Sequence, residues 1–192
     1  MNKRTIIGLA LAMGVLCLFY LEQIGLLFMI INFAAIYDTL FLLWTGVNKS
    51  VVSGFFILVL LFNSYIYTIY PSNPLLFIVV IAIAQVSDTY QYKVGTWITN
   101  KTTIGWISKN KSYEGYIGGL ILTMVTFIMF CKFWVIIFVY LCGIFGGLVS
   151  SAFKRKIGIK DYSNLLGPHG GFVDRIDSII FPLLFIRIIE MF

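Results

Sequence analysis

Residues 151–177 read SAFKRKIGIKDYSNLLGPHGGFVDRID. They hold Lys154, Arg155, Lys156, Lys160, Asp161, His169, Asp174, Arg175 and Asp177, in a chain that is 60% hydrophobic and 11% charged, and His169 is its one histidine. Ionisable groups beside a bilayer are costly unless they are paired or used. Asp174 and Asp177 are three apart, so a helix starting near Asp174 puts both carboxylates on one face. With Asp161 and Asp88 nearby, they suit a hard cation such as Mg2+, which takes one or two carboxylates and completes its shell with water and phosphate. The run Lys154, Arg155, Lys156, Lys160 suits a polyphosphate, or anionic lipid headgroups. Gly170-Gly171 lets backbone approach a ligand closely. Carboxylates for a metal, cations for phosphate and glycine for access are the parts of phosphoryl or nucleotidyl transfer. The competing reading is a juxtamembrane network in which these charges pair with one another and with lipid phosphates. On composition alone the two stand level.

A second polar stretch tips the balance. Residues 108–119, SKNKSYEGYIGG, again combine lysines (Lys109, Lys111) and a carboxylate (Glu114) with Gly115, Gly118 and Gly119. A loop needing only solubility does not need three glycines leading into a helix.

The elements that must position these residues are membrane helices. A mean hydropathy of +0.96 excludes an ordinary soluble domain; average globular chains carry about 25% charged residues. At roughly 20 to 25 residues per crossing plus loops, 192 residues accommodate six to eight helices. The segments are apolar all round rather than alternating, which excludes a β-barrel. The expected fold class is all-α, a polytopic transmembrane bundle of about seven helices. The apolar run 5–21 is expected to be a retained helix; a signal peptide is its rival, but no small-residue cleavage site follows and Glu22-Gln23 leads into another apolar run. Further helices are expected over about 24–44, 51–70, 74–94, 115–131, 133–153 and from near Asp174 to the C-terminus, with 95–114 as a polar loop. The fourth has an apolar run too short to span, ending at Ser87-Asp88, so it must continue and carry Asp88 below the membrane surface. The chain reads as a single membrane domain, 1–192. Residues 1–74 supply N-terminal helices, and 75–192 supply the helices and loops with the chemistry.

With the N-terminus in the cytoplasm, every basic residue except Lys132 and Arg187 falls on the cytoplasmic side, including Lys3, Arg4, Lys49, Lys93, Lys101, Lys109, Lys111 and Arg175. This positive-inside pattern explains the formal net charge of +6 without nucleic acid as a partner. Both polar stretches then share the cytoplasmic face. Cys17, Cys131 and Cys142 lie in or beside apolar runs and read as packing residues, with no disulfide expected. Gly143, Gly146, Gly147, Ser150 and Ser151 read as a close-packing helix face. Asp38 either lines a lipid cavity or is paired.

The segment Ser151–Asp177 resembles the signature of the phosphatidate cytidylyltransferase (CDP-diacylglycerol synthase) family. Ser151, Lys154, Arg155, Lys160, Asp161, His169, Gly170, Gly171, Asp174, Arg175 and Asp177 match in type and spacing. Upstream, Asp88, Tyr92, Gly95, Ser108, Lys111, Glu114, Gly115, Gly118 and Gly119 resemble further elements of that family. The resemblance covers about residues 85–185. Departures are Lys109-Asn110 for Pro-Lys, Ser112 for Thr, Asn100-Lys101 for Gly-Lys, Gly167-Pro168 for Pro-Gly, and Gly146-Gly147 where many bacterial members have Gly-Asp, the Asp being read as a metal ligand.

The resemblance implies transfer of CMP from CTP to phosphatidic acid, giving CDP-diacylglycerol and pyrophosphate. It implies Mg2+, alone or as a metal pair, held by Asp88, Asp174 and Asp177. Lys111, Lys154, Arg155 and Lys160 would bind CTP phosphates or the lipid phosphate. Glu114 and Asp161 would orient these bases or the metal's water shell, and Arg175 joins the catalytic set. His169 would bind phosphate or shape its loop. Ser108, Gly115, Ser151, Gly170 and Gly171 would line the substrates. Expected partners are CTP, phosphatidic acid and the bilayer, and a homodimer is among them. Two alternatives stay open: a cytidylyltransferase for another lipid phosphate, and an inactive membrane homologue. A transporter fits less well, because its ionisable residues would lie across the midplane rather than at one face.

Overall fold

The computed structural model describes residues 24–48, 51, 52, 54, 57, 61, 65, 74–98, 102–105, 108–167 and 170–190. Their helices are α1 (Ile24–Trp44), α2 (Pro74–Trp97), α3 (Tyr113–Phe127), α4 (Phe133–Lys156), α5 (Val173–Leu184) and α6 (Ile186–Glu190). Between α2 and α3 lie the strands β1 (Thr103–Ile104) and β2 (Ser108–Ser112). The architecture is helical, as the composition requires. The expected helix 5–21 lies outside the described residues, as do most of 51–70.

Local chemistry accounts for the helix bounds. α2 passes through Ser87-Asp88 without a break, and the Ser87 and Thr89 hydroxyls are satisfied within it by donating to the Ala84 and Gln85 carbonyls. α3 starts at Tyr113 because Ser112 caps it, its Oγ accepting the Gly115 N–H at 3.1 Å. α4 continues to Lys156, past the expected residue 153, with Lys154, Arg155 and Lys156 in its last turn, where cations favour the helix dipole. α5 contains Pro182, which has no N–H for the Ser178 carbonyl and weakens the helix; a turn at Phe185 follows, then α6.

The polar loop 95–114 contains order that the sequence pattern did not disclose. Thr103 stands opposite Ser112 and Ile104 opposite Ser108 in an antiparallel ribbon, with a register shift between Thr103 and Ile104.

The chain divides into two compact units, residues 1–68 with 159–175, and residues 69–158 with 176–192. In the second unit α2 packs against α3 and α4, and β2 leans on α2 and α3. The glycines of α3 are the means of close approach. A Cβ on Gly118 would lie 2.6 Å from Val94 Cγ1, and one on Gly115 would lie 2.8 Å from the Gln91 carbonyl oxygen and 3.2 Å from Gly95 Cα. On α4, a Cβ on Gly146 would lie 2.6 Å from the Asp177 carbonyl oxygen. This is the small-residue packing expected where helices associate without a hydrophobic driving force. Phe145 and Phe181 stack edge to face beside it, with centroids 5.0 Å apart.

The first unit shows an inverted helix. On α1 Phe33 is 71% exposed and Leu40 59%, whereas Asp38 is 0% exposed. Apolar outside and polar inside is the pattern of a helix surrounded by lipid. In the second unit Leu75–Trp97 and Phe133–Lys156 are long and apolar enough to cross a bilayer. With the chain's hydropathy, these features make it a membrane protein.

Candidate active site

The second unit gathers charge around Asp177. Lys154 Nζ lies 3.7 Å from Asp177 Oδ2, with the two side chains 10% and 17% exposed. Lys111, also a cation, and Asp88, a like charge, act on the same carboxylate, and Ser150 donates a hydrogen bond to it. Four segments supply this cluster: α2 brings Asp88, β2 brings Lys111, α4 brings Ser150 and Lys154, and α5 brings Asp177. Gly147 forms part of its floor. A Cβ there would lie 2.6 Å from Lys111 Nζ, so the lysine crosses the helix where the side chain is missing. Two carboxylates and two ammonium groups in one place can hold a cation–polyphosphate pair: the cations meet phosphate oxygens, and the carboxylates meet a metal.

The hairpin that carries Lys111 is fastened at its base. The Thr102 N–H lies 3.0 Å from both oxygens of Glu114, and the Tyr113 N–H donates to the Thr102 carbonyl. Hydrogen bonds from its own backbone N–H and then from Thr102 hold the Glu114 carboxyl below its ordinary value. The structure therefore gives Glu114 a hairpin to hold. Ser108 lies in the same strand, and its side chain is outside the described residues. Gly115 has its bare face against α2, where Gln91 and Gly95 fill the space. Ser151 donates its hydroxyl to the Gly147 carbonyl at 2.7 Å, within α4. Arg155 is exposed at the end of that helix.

The first unit holds the middle of the 151–177 stretch. Asp174 is 8% exposed. Its Oδ2 accepts the Tyr162 N–H and the Gly171 N–H, both at 2.9 Å. Gly170 has φ +79°, and a Cβ on it would lie 3.0 Å from Asp174 Oδ2 and 3.2 Å from Asp161 Cβ. A side chain would thus be strained twice there, by backbone and by space. Asp161 is half-buried beside it, while Lys160 and Arg175 are exposed. His169 lies outside the described residues.

Sequence reasoning flagged Asp38 but did not find its partners. Ser163 Oγ donates to Asp38 Oδ1, and the Val173 N–H donates to Asp38 Oδ2 at 2.9 Å. These partners are 125 and 135 residues away, a distance no local pattern bridges. The only signal was an acid inside an apolar run.

The chemistry of the donor set bears on the expected cation. Asp88 and Asp177 suit a metal that takes two carboxylates and leaves its other positions to water and phosphate. Asp174 already gives one oxygen to two backbone donors. Among the described residues no group of three or more His, Cys, Asp and Glu side chains gathers as a metal cage.

Known proteins supply a comparison. The model of the cytidylyltransferase family matches residues 2–192. A phosphatidate cytidylyltransferase of Staphylococcus haemolyticus (strain JCSC1435) is 37% identical over 122 residues, which cover 57% of this chain and 47% of that protein. One of Staphylococcus aureus (strain COL) is 39% identical over 121 residues, covering 56% of this chain and 46% of the relative. One of Aquifex aeolicus (strain VF5) is 32% identical over 102 residues, covering 50% and 39%. Each match spans less than half of the relative's length.

Proposed function

Since the chain belongs to the cytidylyltransferase family, we propose that it transfers CMP from CTP to phosphatidic acid, giving CDP-diacylglycerol and pyrophosphate. The observation that carries this reading is the cluster of Asp88, Lys111, Lys154 and Asp177 on four segments of one unit. It combines the charges that a metal–nucleotide complex needs, and relatives named for this activity support the lipid substrate.

The chemistry asks little covalent work of the protein. A phosphate oxygen of phosphatidic acid attacks the α-phosphorus of CTP. A new P–O bond forms, the bond to the bridging oxygen breaks, and pyrophosphate leaves with its electron pair. The nucleophile is already ionised, so no general base is required. Catalysis is positioning and charge stabilisation. Lys111 and Lys154 hold the CTP phosphates and offset the charge that gathers on the departing pyrophosphate. Arg155 and Lys160 would bind CTP phosphates or the lipid phosphate, and Arg175 would join the catalytic set. Glu114 keeps the Lys111 hairpin in place, and Asp161 and Asp174 shape the loop that follows α4. Asp88 and Asp177 would hold Mg2+, whose chemistry is to neutralise phosphate charge.

The protein is multi-pass, with its N-terminus and the cluster on the cytoplasmic side, in keeping with the distribution of Lys and Arg. It works at the bilayer surface, where phosphatidic acid presents its headgroup, and pairs as a homodimer.

Purified protein in detergent, given CTP, Mg2+ and a panel of lipid phosphates, tests the reading. The panel holds phosphatidic acid, an ether-linked analogue and a polyprenyl phosphate. CDP-diacylglycerol should be the main product. A cytidylated polyprenol as the main product would move the chain to another lipid, and no cytidylated lipid would remove the activity.

A further inference from the structure

Asp38 sits in an apolar helix and is fully buried. A buried carboxylate is costly unless its acceptors are met. Here they are met by one loop. Oδ1 takes the Ser163 hydroxyl and Oδ2 takes the Val173 N–H. Val173 is the first residue of α5. The carboxylate therefore stands at the positive end of that helix, where an anion is favoured. It acts as a cap supplied by another helix rather than by the residue before α5.

The surroundings are shaped for this contact. A Cβ on Gly171 would lie 2.7 Å from Asp38 Oδ2 and 2.9 Å from the Ser163 nitrogen, so only glycine admits the carboxylate. Ser163 Oγ also accepts the Leu165 N–H at 3.2 Å. A parallel tie runs through Asp174, whose Oδ2 takes the N–H of Tyr162 and of Gly171. Two buried acids thus join the start of the loop, Tyr162-Ser163, to its end, Gly171–Val173. Lys160 and Asp161 lie just before the first join, and Arg175 just after the second.

We propose that Asp38 is a positioning residue. It caps α5 from α1 and, through Ser163 and Val173, fixes where Lys160, Asp161 and Arg175 stand. It does not touch substrate. The kinetic consequence rests on the cytidylyltransferase reading; the structural consequence does not.

The test uses the full chain in detergent as wild type, Asp38→Asn, Ser163→Ala and Ser163→Thr. Asn keeps the shape but removes the charge that favours the start of α5 and makes the Ser163 hydroxyl accept where it had donated. Ser163→Ala removes a single hydrogen bond and leaves the carboxylate with Val173, so it serves if Asp38→Asn folds poorly. Hydrogen exchange is followed in peptides covering 159–175 and 113–156, and kcat and KM are measured for CTP. Asp38→Asn and Ser163→Ala should speed exchange in 159–175 by about tenfold and leave 113–156 unchanged. The kcat should fall by about tenfold for Asp38→Asn, with KM for CTP held within about twofold, and Ser163→Thr should stay near wild type. Wild-type exchange in both Asp38→Asn and Ser163→Ala would overturn the proposal. So would equal acceleration in 113–156, since Asp38 would then support the fold at large. A rise in KM for CTP at unchanged kcat would overturn the positioning role. If the wild type transfers no CMP, the cytidylyltransferase reading falls, and the exchange rates still decide the part played by Asp38.

Discussion

A carbon attached to Gly147 would lie 2.6 Å from the ammonium nitrogen of Lys111. The glycine thus sets where the Lys111 ammonium stands. Gly147→Ala pushes only the tip of a flexible side chain, and alanine gains about 1 kcal/mol of helix preference over glycine. Stability should change by less than about 1 kcal/mol, while KM for CTP rises about tenfold as Lys111 leaves its place. Thermal unfolding and initial rates on the same preparation check both halves.

The neighbouring glycine should behave in the opposite way. A Cβ on Gly146 meets the Asp177 carbonyl oxygen at 2.6 Å and Phe181 Cδ2 at 2.9 Å. Backbone cannot swing aside as a lysine tip can. Gly146→Ala should destabilise the protein by about 1–3 kcal/mol, read as a lower unfolding temperature in detergent.

Lys154 and Asp177 form a largely buried ion pair. Removing Lys154 takes away the ion-pair partner of Asp177 and leaves Lys111 as the cation acting on it. Lys154→Met should cost about 3 kcal/mol of stability, and adding Asp177→Asn should restore most of that loss. CMP transfer should stay abolished in both if, as proposed, each group also serves the substrates. A double-mutant cycle on unfolding, run beside the transfer assay, separates the two roles.

Glu114 gives a pH dependence whose sign follows from its direction of shift. Its carboxyl is held below 4.5 in the folded protein. Its contribution is therefore present at neutral pH and is lost as pH falls through that lowered value. Hydrogen exchange at Thr102 and Tyr113, normalised to the intrinsic rate at each pH, should be slow at pH 7 and rise as pH falls through that lowered value. In Glu114→Gln the hairpin should already be looser at pH 7 and show no such rise.

Much of the fold was legible because lipid imposes simple rules. The apolar run of α1 matches Ile24–Trp44, and the short apolar stretch before Asp88 correctly required a longer α2. Gly143 and Gly146 pack closely against α5 as their spacing implied, whereas Gly147 of the same series faces the Lys111 side chain. The ribbon at 103–112 was hidden because two short polar strands carry no periodicity. Gly115, read as lining the substrates, and Gly118, read as leading into a helix, meet Gln91, Val94 and Gly95 of α2, a packing need that loop composition does not reveal. Within the signature 151–177, Ser163 and Val173 bond Asp38 and Lys154 pairs with Asp177, partners that its spacing does not name. Sequence spacing reports which residues matter, whereas long-range hydrogen bonds decide which of them meet.

The central claim is that the phosphate of a lipid displaces pyrophosphate from the α-phosphorus of CTP. It is tested most directly by following label from two CTP preparations, one radiolabelled at the α-phosphorus and one at the γ-phosphorus, with phosphatidic acid and Mg2+. The α-label should appear in a cytidylated lipid and the γ-label in free pyrophosphate, in equal amounts, with both lost in Asp177→Asn. Transfer of the γ-label to lipid, or no α-label in lipid at all, would contradict the account.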